Sequence, residues 1–134
     1  MQEFLDQASH NWNFHEAICD QYPTSFYDWK ITLLFYTAIH YLKALAAQKG
    51  IHIGDTHLEI DQSVNPDRPH TKMPISRNAW REYKSLYNYS RSARYEGITD
   101  VVTFETLKEQ DHKFCLKHLS NFKKYIAGQG IPIE

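Results

Sequence analysis

The stretch YNYSRSARYEG, residues 87–97, sets two arginines three positions apart among tyrosines and serines. A guanidinium group is always charged, and its planar fork of donors fits phosphate or carboxylate. Arg91 and Arg94, with the hydroxyl groups of Tyr87 and Tyr95 beside them, therefore suit contact with a phosphodiester. They also suit a structural role, because a cation in the last turn of a helix stabilises the helix end.

The structural role requires carboxylate partners for the arginines. Glu96 follows them closely, and Asp111 interrupts an apolar stripe farther along the chain. Because buried polar groups need partners, Asp111 is a candidate counter-ion for Arg91 or Arg94. If both guanidinium groups are held by carboxylates, the chain is a structural protein-interaction module.

Eight histidines offer groups for proton transfer or metal binding. His52 and His57 flank Asp55, and histidine and aspartate are residue types that a metal site would use. Zinc ligands, however, usually occur in tighter pairs such as CxxC or HxxxH. We therefore expect neither a metal ion nor a cofactor.

Three of these histidines are candidates for phosphate chemistry. His40 lies in a nearly all-apolar segment, where a hydrogen-bonded core histidine is the ordinary outcome, but a buried histidine near phosphate donors also resembles a general acid or base. His57 and His70 lie in an irregular segment, in which Arg68 precedes His70 by two residues. We count Arg68 and His70 among the candidate ligand-binding residues.

Length and composition predict one globular domain over residues 1–134, with 42% hydrophobic residues and 23% charged residues. The net charge of −1 argues against a broad basic surface for nucleic acid. We expect reduced thiols at Cys19 and Cys115. The polar first residues do not resemble a signal peptide, and no apolar run is long enough to span a membrane. We expect a cytoplasmic protein.

Four helices are predicted from apolar spacing and from start and stop signals. The first covers Gln2 to about Gln21. The second begins at a capping box formed by Ser25 and Asp28 and ends at Gly50. The third runs from after Ser76 to Tyr95, and the fourth from an N-cap at Thr103 to Ala127. The stripe predicted to face the core in the fourth helix consists of Phe104, Leu107, Asp111, Cys115, His118, Phe122 and Tyr125.

Residues 51–75 are predicted to form a long loop between the second and third helices, with a short helical turn at Thr56–Gln62. A loop of this length in a compact domain is often functional. The predicted fold class is therefore all-α: an antiparallel up-and-down four-helix bundle with a long middle connection.

Three segments resemble the HEPN domain family: FYTAIHYLKALAAQKGI, YKSLYNYSRSARYEG and FCLKHLSNFKKYI. The resemblance covers roughly residues 27–127. It implies a small all-α up-and-down bundle. Many HEPN proteins are metal-independent endoribonucleases of toxin–antitoxin, CRISPR and phage-defence systems that act as dimers. Others are binding or partner domains, often beside a nucleotidyltransferase.

The catalytic HEPN members carry an Arg-x(4–6)-His motif, and this chain departs from it. The allowed histidine positions after Arg91 hold Glu96, Gly97 and Ile98, and those after Arg94 hold Thr99, Asp100 and Val101. Tyr95, directly behind Arg94, donates a hydrogen bond to phosphate well but is a poor base at neutral pH. The resemblance therefore supplies the arginine of the family without its histidine.

The favoured interpretation is a homodimeric HEPN-like domain that binds a nucleotide or RNA, within a toxin–antitoxin or phage-defence system. The ligand would lie against Tyr87, Arg91, Arg94 and Tyr95, with a nucleotidyltransferase-type or other protein as partner. The alternative is a metal-independent endoribonuclease with a degenerate site, in which Arg94 acts with His40 or His57. The structural interaction module is a further alternative.

Overall fold

The computed structural model describes residues 1–95 and 101–133, with side chains described for residues 1–93 and 108–133. This part of the chain forms five helices and contains no strand, which confirms the all-α prediction. They are α1 (Gln2–Gln21), α2 (Tyr27–Gln48), α3 (His57–Val64), α4 (Arg77–Tyr95) and α5 (Val101–Gly128). No helix in these ranges is long and apolar enough to cross a lipid bilayer.

The four long helices run in alternating directions around α2, which packs against α1, α4 and α5. Ser76, just before α4, lies beside Tyr125 near the end of α5, and Tyr89 near the end of α4 stacks on Phe114 in the first half of α5. Helices α4 and α5 are therefore antiparallel. Lys30 Nζ, in the first turn of α2, donates to the Tyr22 carbonyl just after α1 at 2.6 Å. The short link between α1 and α2 therefore turns the chain back in the same way.

The core is apolar and draws on α2, α4 and α5. Phe35 and Leu42 on α2, Leu86 on α4, and Phe122 and Ile126 on α5 are all fully buried. Their burial is the main stabilising contribution to the bundle, since each such side chain contributes about 1.5–3 kcal/mol when it leaves water.

The buried stripe of α5 differs from the predicted one. Cys115 and Phe122 face the core as expected, but His112, Leu119 and Ile126 are buried while Asp111, His118 and Tyr125 are half-buried. Both sets lie three or four residues from Cys115 and Phe122, so helical spacing fits either one. Packing against α2 and α4 determines which set is buried.

The predicted capping box at the start of α2 is wrong. The helix begins at Tyr27, and its N-cap is Phe26, whose φ is 58° and whose side chain makes no capping hydrogen bond. A bulky residue rarely adopts this left-handed conformation. It occurs here where the rings of Tyr22 and Phe26 meet edge to face, with centroids 4.8 Å apart.

The end of α2 and the start of α4 follow their predicted signals, whereas the start of α5 does not. Gly50, at a φ of 70°, ends α2, and Ile51 N–H donates to the Ala46 carbonyl at 2.8 Å, as in a Schellman motif. Ser76 caps α4 by accepting from the Ala79 N–H at 3.1 Å. Helix α5 begins two residues before Thr103, which is therefore inside the helix rather than at its cap.

Residues 51–75 are packed rather than loose. The helical turn predicted at Thr56–Gln62 is present and continues to Val64 as α3. Backbone hydrogen bonds from Met73 to the Ser63 carbonyl and from Ile75 to the Val64 carbonyl, at 2.9 and 3.1 Å, fasten the rest of the segment to α3. The apolar side chains Ile53, Ile60, Val64, Met73 and Ile75 are buried. This segment therefore holds α3 at a fixed place beside α4.

Candidate functional site

The first residue of α3 meets the middle of α4. The rings of His57 and Tyr87 lie with their centroids 4.5 Å apart, and Phe35 of α2 packs beneath both at 5.3 and 5.6 Å. Tyr83, one turn before Tyr87, also packs on Phe35 at 5.6 Å. Aromatic rings at these separations attract one another, so three helices contribute to one aromatic group.

Local sequence fixes the position of His57. Thr56 caps α3: its Oγ1 accepts from the Glu59 N–H at 3.2 Å and donates to Glu59 Oε1 at 3.0 Å. Gly54 has a φ of 101°, and a Cβ atom there would lie 2.3 Å from Glu59 Cβ. Only glycine permits this close approach, and it determines where α3 starts.

Two cations lie against the Tyr87 ring. Lys84 Nζ is 4.5 Å from the ring centroid, and Arg91 Cζ is 5.7 Å from it. Arg91 Nη1 also donates to the Tyr87 hydroxyl at 3.5 Å. Because residues three and four apart share one face of a helix, Lys84, Tyr87 and Arg91 form a continuous strip. We call His57, Tyr83, Lys84, Tyr87 and Arg91 the Tyr87 cluster.

Arg91 has no carboxylate partner among the residues whose side chains are described. It is exposed, and Asp111, the counter-ion considered from the sequence, instead pairs with Lys108 at 3.4 Å. The structural role considered for Arg91 is therefore not supported through Asp111. The side chains of Arg94, Tyr95 and Glu96 lie outside the described part, so their contacts stay predictions.

A cavity of about 210 Å³ opens beside the Tyr87 cluster. Its lining includes His57, Asp61, Trp80, Tyr83, Lys84 and Tyr87. The Tyr83 hydroxyl is buried and has no hydrogen-bond partner among the described residues. Burial, followed by the charges of Tyr87 and Asp61, raises the pKa of Tyr83, so its hydroxyl stays protonated and available as a donor.

Arg68 lies near the cavity, whereas His70 lies away from the Tyr87 cluster. Arg68 Nε donates to Asp61 Oδ1 at 2.6 Å, which places it at the edge of the cavity but already paired. His70 is exposed at a φ of 59°, and within the described ranges no hydrogen bond, ion pair or ring contact joins it to the Tyr87 cluster.

His40 faces α1 instead of the Tyr87 cluster. Its Nδ1 donates to the Tyr36 carbonyl at 2.7 Å, and Asn11 Nδ2 lies 3.3 Å away. Burial lowers the pKa of His40, which the backbone hydrogen bond to Tyr36 partly offsets. The structure thus brings only one of the two histidines considered for catalysis to the arginine helix, and that one is His57.

A second polar cluster, formed by His15, Cys19 and His112, lies between α1 and α5 and was missed from the sequence. His15 Nε2 is 2.8 Å from His112 Nε2 and 3.6 Å from Cys19 Sγ. Burial and the charge of Lys30 lower the pKa of His15 to about 4. Burial, then the nearby His15 and Lys30, lower the pKa of His112 to about 4 as well.

The sequence contained part of this signal. His15 and Cys19 are four residues apart, so they share one face of α1, but the third member comes from the far end of the chain. The expectation of no metal considered only pairs close in sequence, and it remains untested. We call these three residues the His-Cys cluster.

A larger cavity among the described residues lies elsewhere. It is a groove of about 660 Å³ between α1 and α5, with Leu5, Trp12, Tyr41 and Leu116 in its lining. Of the predicted site residues whose side chains are described, none lines this groove. We place the candidate site at the smaller cavity, because convergent charged and aromatic groups lie there.

The alternating long helices, with a short helix in the middle connection, define an all-α bundle domain. The family model of the HEPN domain matches residues 1–129, so the chain belongs to the HEPN family. This confirms the resemblance noted for residues 27–127 and extends it to α1. Neither the curated proteins nor the solved structures gave a match.

Proposed function

We propose that this HEPN domain binds single-stranded RNA or a nucleotide at the Tyr87 cluster, and that it does so without the usual ribonuclease motif. The observation that carries the proposal is the strip on α4, in which Lys84 and Arg91 flank the Tyr87 ring. Unstacked bases bind to aromatic side chains and their phosphates to cations, so this strip offers both kinds of contact.

The net charge of the chain limits which kind of RNA the site would bind. With a net charge of −1, the protein lacks a broad attractive field, and binding would depend on the few cations of the cluster. Two phosphate contacts, from Lys84 and Arg91, give an expected slope of about −1.4 for log affinity against log salt. A short single strand therefore suits the site better than a long duplex.

We further propose a homodimer that works in the cytoplasm, within a toxin–antitoxin or phage-defence system, alone or beside a nucleotidyltransferase-type partner. The dimer, the defence role and the partner come from what the family resemblance implies, and the cytoplasmic location from the polar first residues and the lack of a long apolar run. One surface feature supports the dimer: Trp29 and Tyr36, two helical turns apart on α2, are 58% and 37% exposed. Aromatic side chains are enriched at the contact surfaces of proteins.

Binding of a fluorescently labelled single-stranded RNA in EDTA tests the function. Arg91→Ala should weaken the affinity about tenfold, because a hydrogen-bonded charge contact is lost. Arg77→Ala is the matched control: it removes the same charge from α4, but Arg77 pairs with Asp67 at 3.3 Å and lies outside the cluster. Equal affinity of parent and Arg91→Ala would overturn the proposal.

A second candidate function is metal-independent cleavage of RNA. The Tyr87 ring contacts both His57 and Arg91, so a histidine from α3 lies near the arginine helix although no histidine follows in the sequence at the motif spacing. A general acid or base within reach of a bound phosphate could act there. Arg94 and His40, the other residues considered, receive no such support from the described contacts.

Incubation of labelled RNA in EDTA separates the two functions. If His57 acts in cleavage with Arg91, the parent cuts and both His57→Ala and Arg91→Ala lose the activity, whereas His70→Ala keeps it. If the parent binds RNA but none of the proteins cuts it, the chain is a binding domain only.

A further inference from the structure

The His-Cys cluster has the chemistry of a transition-metal site. Imidazole nitrogen and thiolate sulfur are the preferred ligands of zinc. His15, Cys19 and His112 each offer one such atom, and the three atoms all lie within 4.8 Å of one another. The cluster shares no residue with the Tyr87 cluster, so the two proposals are independent.

The distances can be compared with a tetrahedral zinc ion. Zinc bonds of about 2.05 Å to nitrogen and about 2.3 Å to sulfur place nitrogen and sulfur about 3.6 Å apart and two nitrogens about 3.3 Å apart. The observed separations are 3.6 Å for His15 Nε2 and Cys19 Sγ, and 2.8 Å for the two Nε2 atoms. The two nitrogens would have to separate by about half an ångström. The third separation, between His112 Nε2 and Cys19 Sγ, is at most 4.8 Å, so the ion would also draw these two side chains together if they lie beyond the tetrahedral distance.

A carboxylate orients one of the ligands. His15 Nδ1 donates to Glu16 Oε1 at 3.0 Å, which keeps the proton on Nδ1 and leaves the Nε2 lone pair directed at the other two residues. Metal-binding histidines commonly donate their second ring N–H to a carboxylate in this way. The imidazole of His15 is thus already held in the tautomer that binds a metal.

We propose that His15, Cys19 and His112 bind a zinc ion that links α1 to α5, with the fourth coordination position open to water or to a further ligand. The opening is at Cys19, which is only half-buried, whereas His15 is 1% exposed. This ion would stabilise the pairing of the two helices, because it binds a site present only in the folded chain.

Zinc binding to the untagged, metal-free protein tests the proposal. We expect one zinc ion per chain by equilibrium dialysis and a higher melting temperature with zinc than with EDTA. Cobalt in place of zinc should give a thiolate-to-cobalt absorption band. The band should disappear in Cys19→Ala and persist in the control Cys115→Ala, which removes the other thiol of the chain.

A measurement without substitutions guards against a variant that fails to fold. Zinc should slow the alkylation of Cys19 by about tenfold or more, as located by peptide mapping, while the buried Cys115 reacts only after unfolding. Absence of the cobalt band and unchanged alkylation of Cys19 in the folded parent would overturn the proposal. The cluster would then be an ordinary hydrogen-bonded group of side chains.

Discussion

His57 and Tyr87 come from different helices, yet their ring centroids lie 4.5 Å apart. This stack joins α3 to α4 and places a histidine beside the face of α4 that carries Arg91. Among the described residues, His57 is the histidine whose ring contacts Tyr87. The proposed site therefore depends on the segment between α2 and α4 as much as on α4 itself.

Substitution of Gly54 should release His57 from its place. Gly54→Ala adds a Cβ atom at 2.3 Å from Glu59 Cβ, at a φ of 101°. Gly50→Ala is the control, since its φ is 70° but nothing lies within 4 Å of its added Cβ. We expect the free energy of unfolding to fall by about 1–2 kcal/mol in Gly50→Ala and by about 1–3 kcal/mol more in Gly54→Ala. Urea unfolding measures both changes. Equal losses in the two variants would contradict the close approach of Gly54 to Glu59.

The role of the Tyr87 ring is separable from that of its hydroxyl. Tyr87→Phe keeps the ring that packs on Phe35 and His57, so it should retain most of the RNA affinity. Tyr87→Ala removes the stacking surface, and we expect about a tenfold loss of affinity, since stacking contributes about 1–3 kcal/mol per base. Fluorescence anisotropy of folded variants measures this. A Tyr87→Phe variant as weak as Tyr87→Ala would show that the hydroxyl carries the binding.

The Tyr83 hydroxyl should contribute nothing to the stability of the ligand-free protein. It is buried without a hydrogen-bond partner in the described part of the chain, so Tyr83→Phe should leave the free energy of unfolding unchanged or raise it by about 1 kcal/mol. Tyr27→Phe provides the contrast, because the Tyr27 hydroxyl donates to the Pro23 carbonyl at 3.2 Å. That variant should lose about 1 kcal/mol. If Tyr83→Phe lost more free energy of unfolding than Tyr27→Phe, the result would be inconsistent with the geometry.

The pair of Arg68 and Asp61 should give a small, pH-dependent effect. Burial acts to raise the pKa of Asp61, but hydrogen bonds from Asn65 and Arg68 and the charges of Arg68 and Lys84 lower it below 3.8. Because the folded pKa is below the unfolded one, this stability is present above pH 3.8 and is lost as the pH falls through the folded pKa.

Arg68→Ala should therefore raise the pKa of Asp61 and cost about 0–1 kcal/mol near neutral pH, with no cost once Asp61 is protonated. NMR titration of the Asp61 carboxyl measures the change. Arg77→Ala, which breaks a similar surface pair with Asp67, should leave the Asp61 titration unchanged.

The RNA affinity of Arg68→Ala is a separate test of the site. A larger loss of affinity for Arg68→Ala than for Arg91→Ala would show that Arg68 contacts the RNA.

Local signals in the sequence predicted much of the fold. Ser76 at the start of α4 and Gly50 at the end of α2 were identified because caps depend on a few neighbouring residues. The start of α2 was missed because Phe26 adopts a conformation that its residue type disfavours. The buried face of α5 was misjudged because Cys115 and Phe122 fit two overlapping stripes.

The sites were harder to predict, because they depend on contacts between distant segments. His57 was a candidate by residue type, but only the packing of α3 on α4 showed that it lies near Arg91 and that His40 does not. His15 and His112 are 97 residues apart in the sequence although their side chains touch, so no local spacing revealed the pair. Arg94 and Tyr95 stay predictions, since their side chains lie outside the described residues.

An NMR titration of the labelled protein with a short single-stranded RNA tests the central claim most directly. We predict that backbone and side-chain signals shift at His57, Lys84, Tyr87 and Arg91, with little change near the His-Cys cluster. Shifts confined to the groove between α1 and α5, or no shifts at RNA concentrations well above the protein concentration, would contradict the assignment of the site.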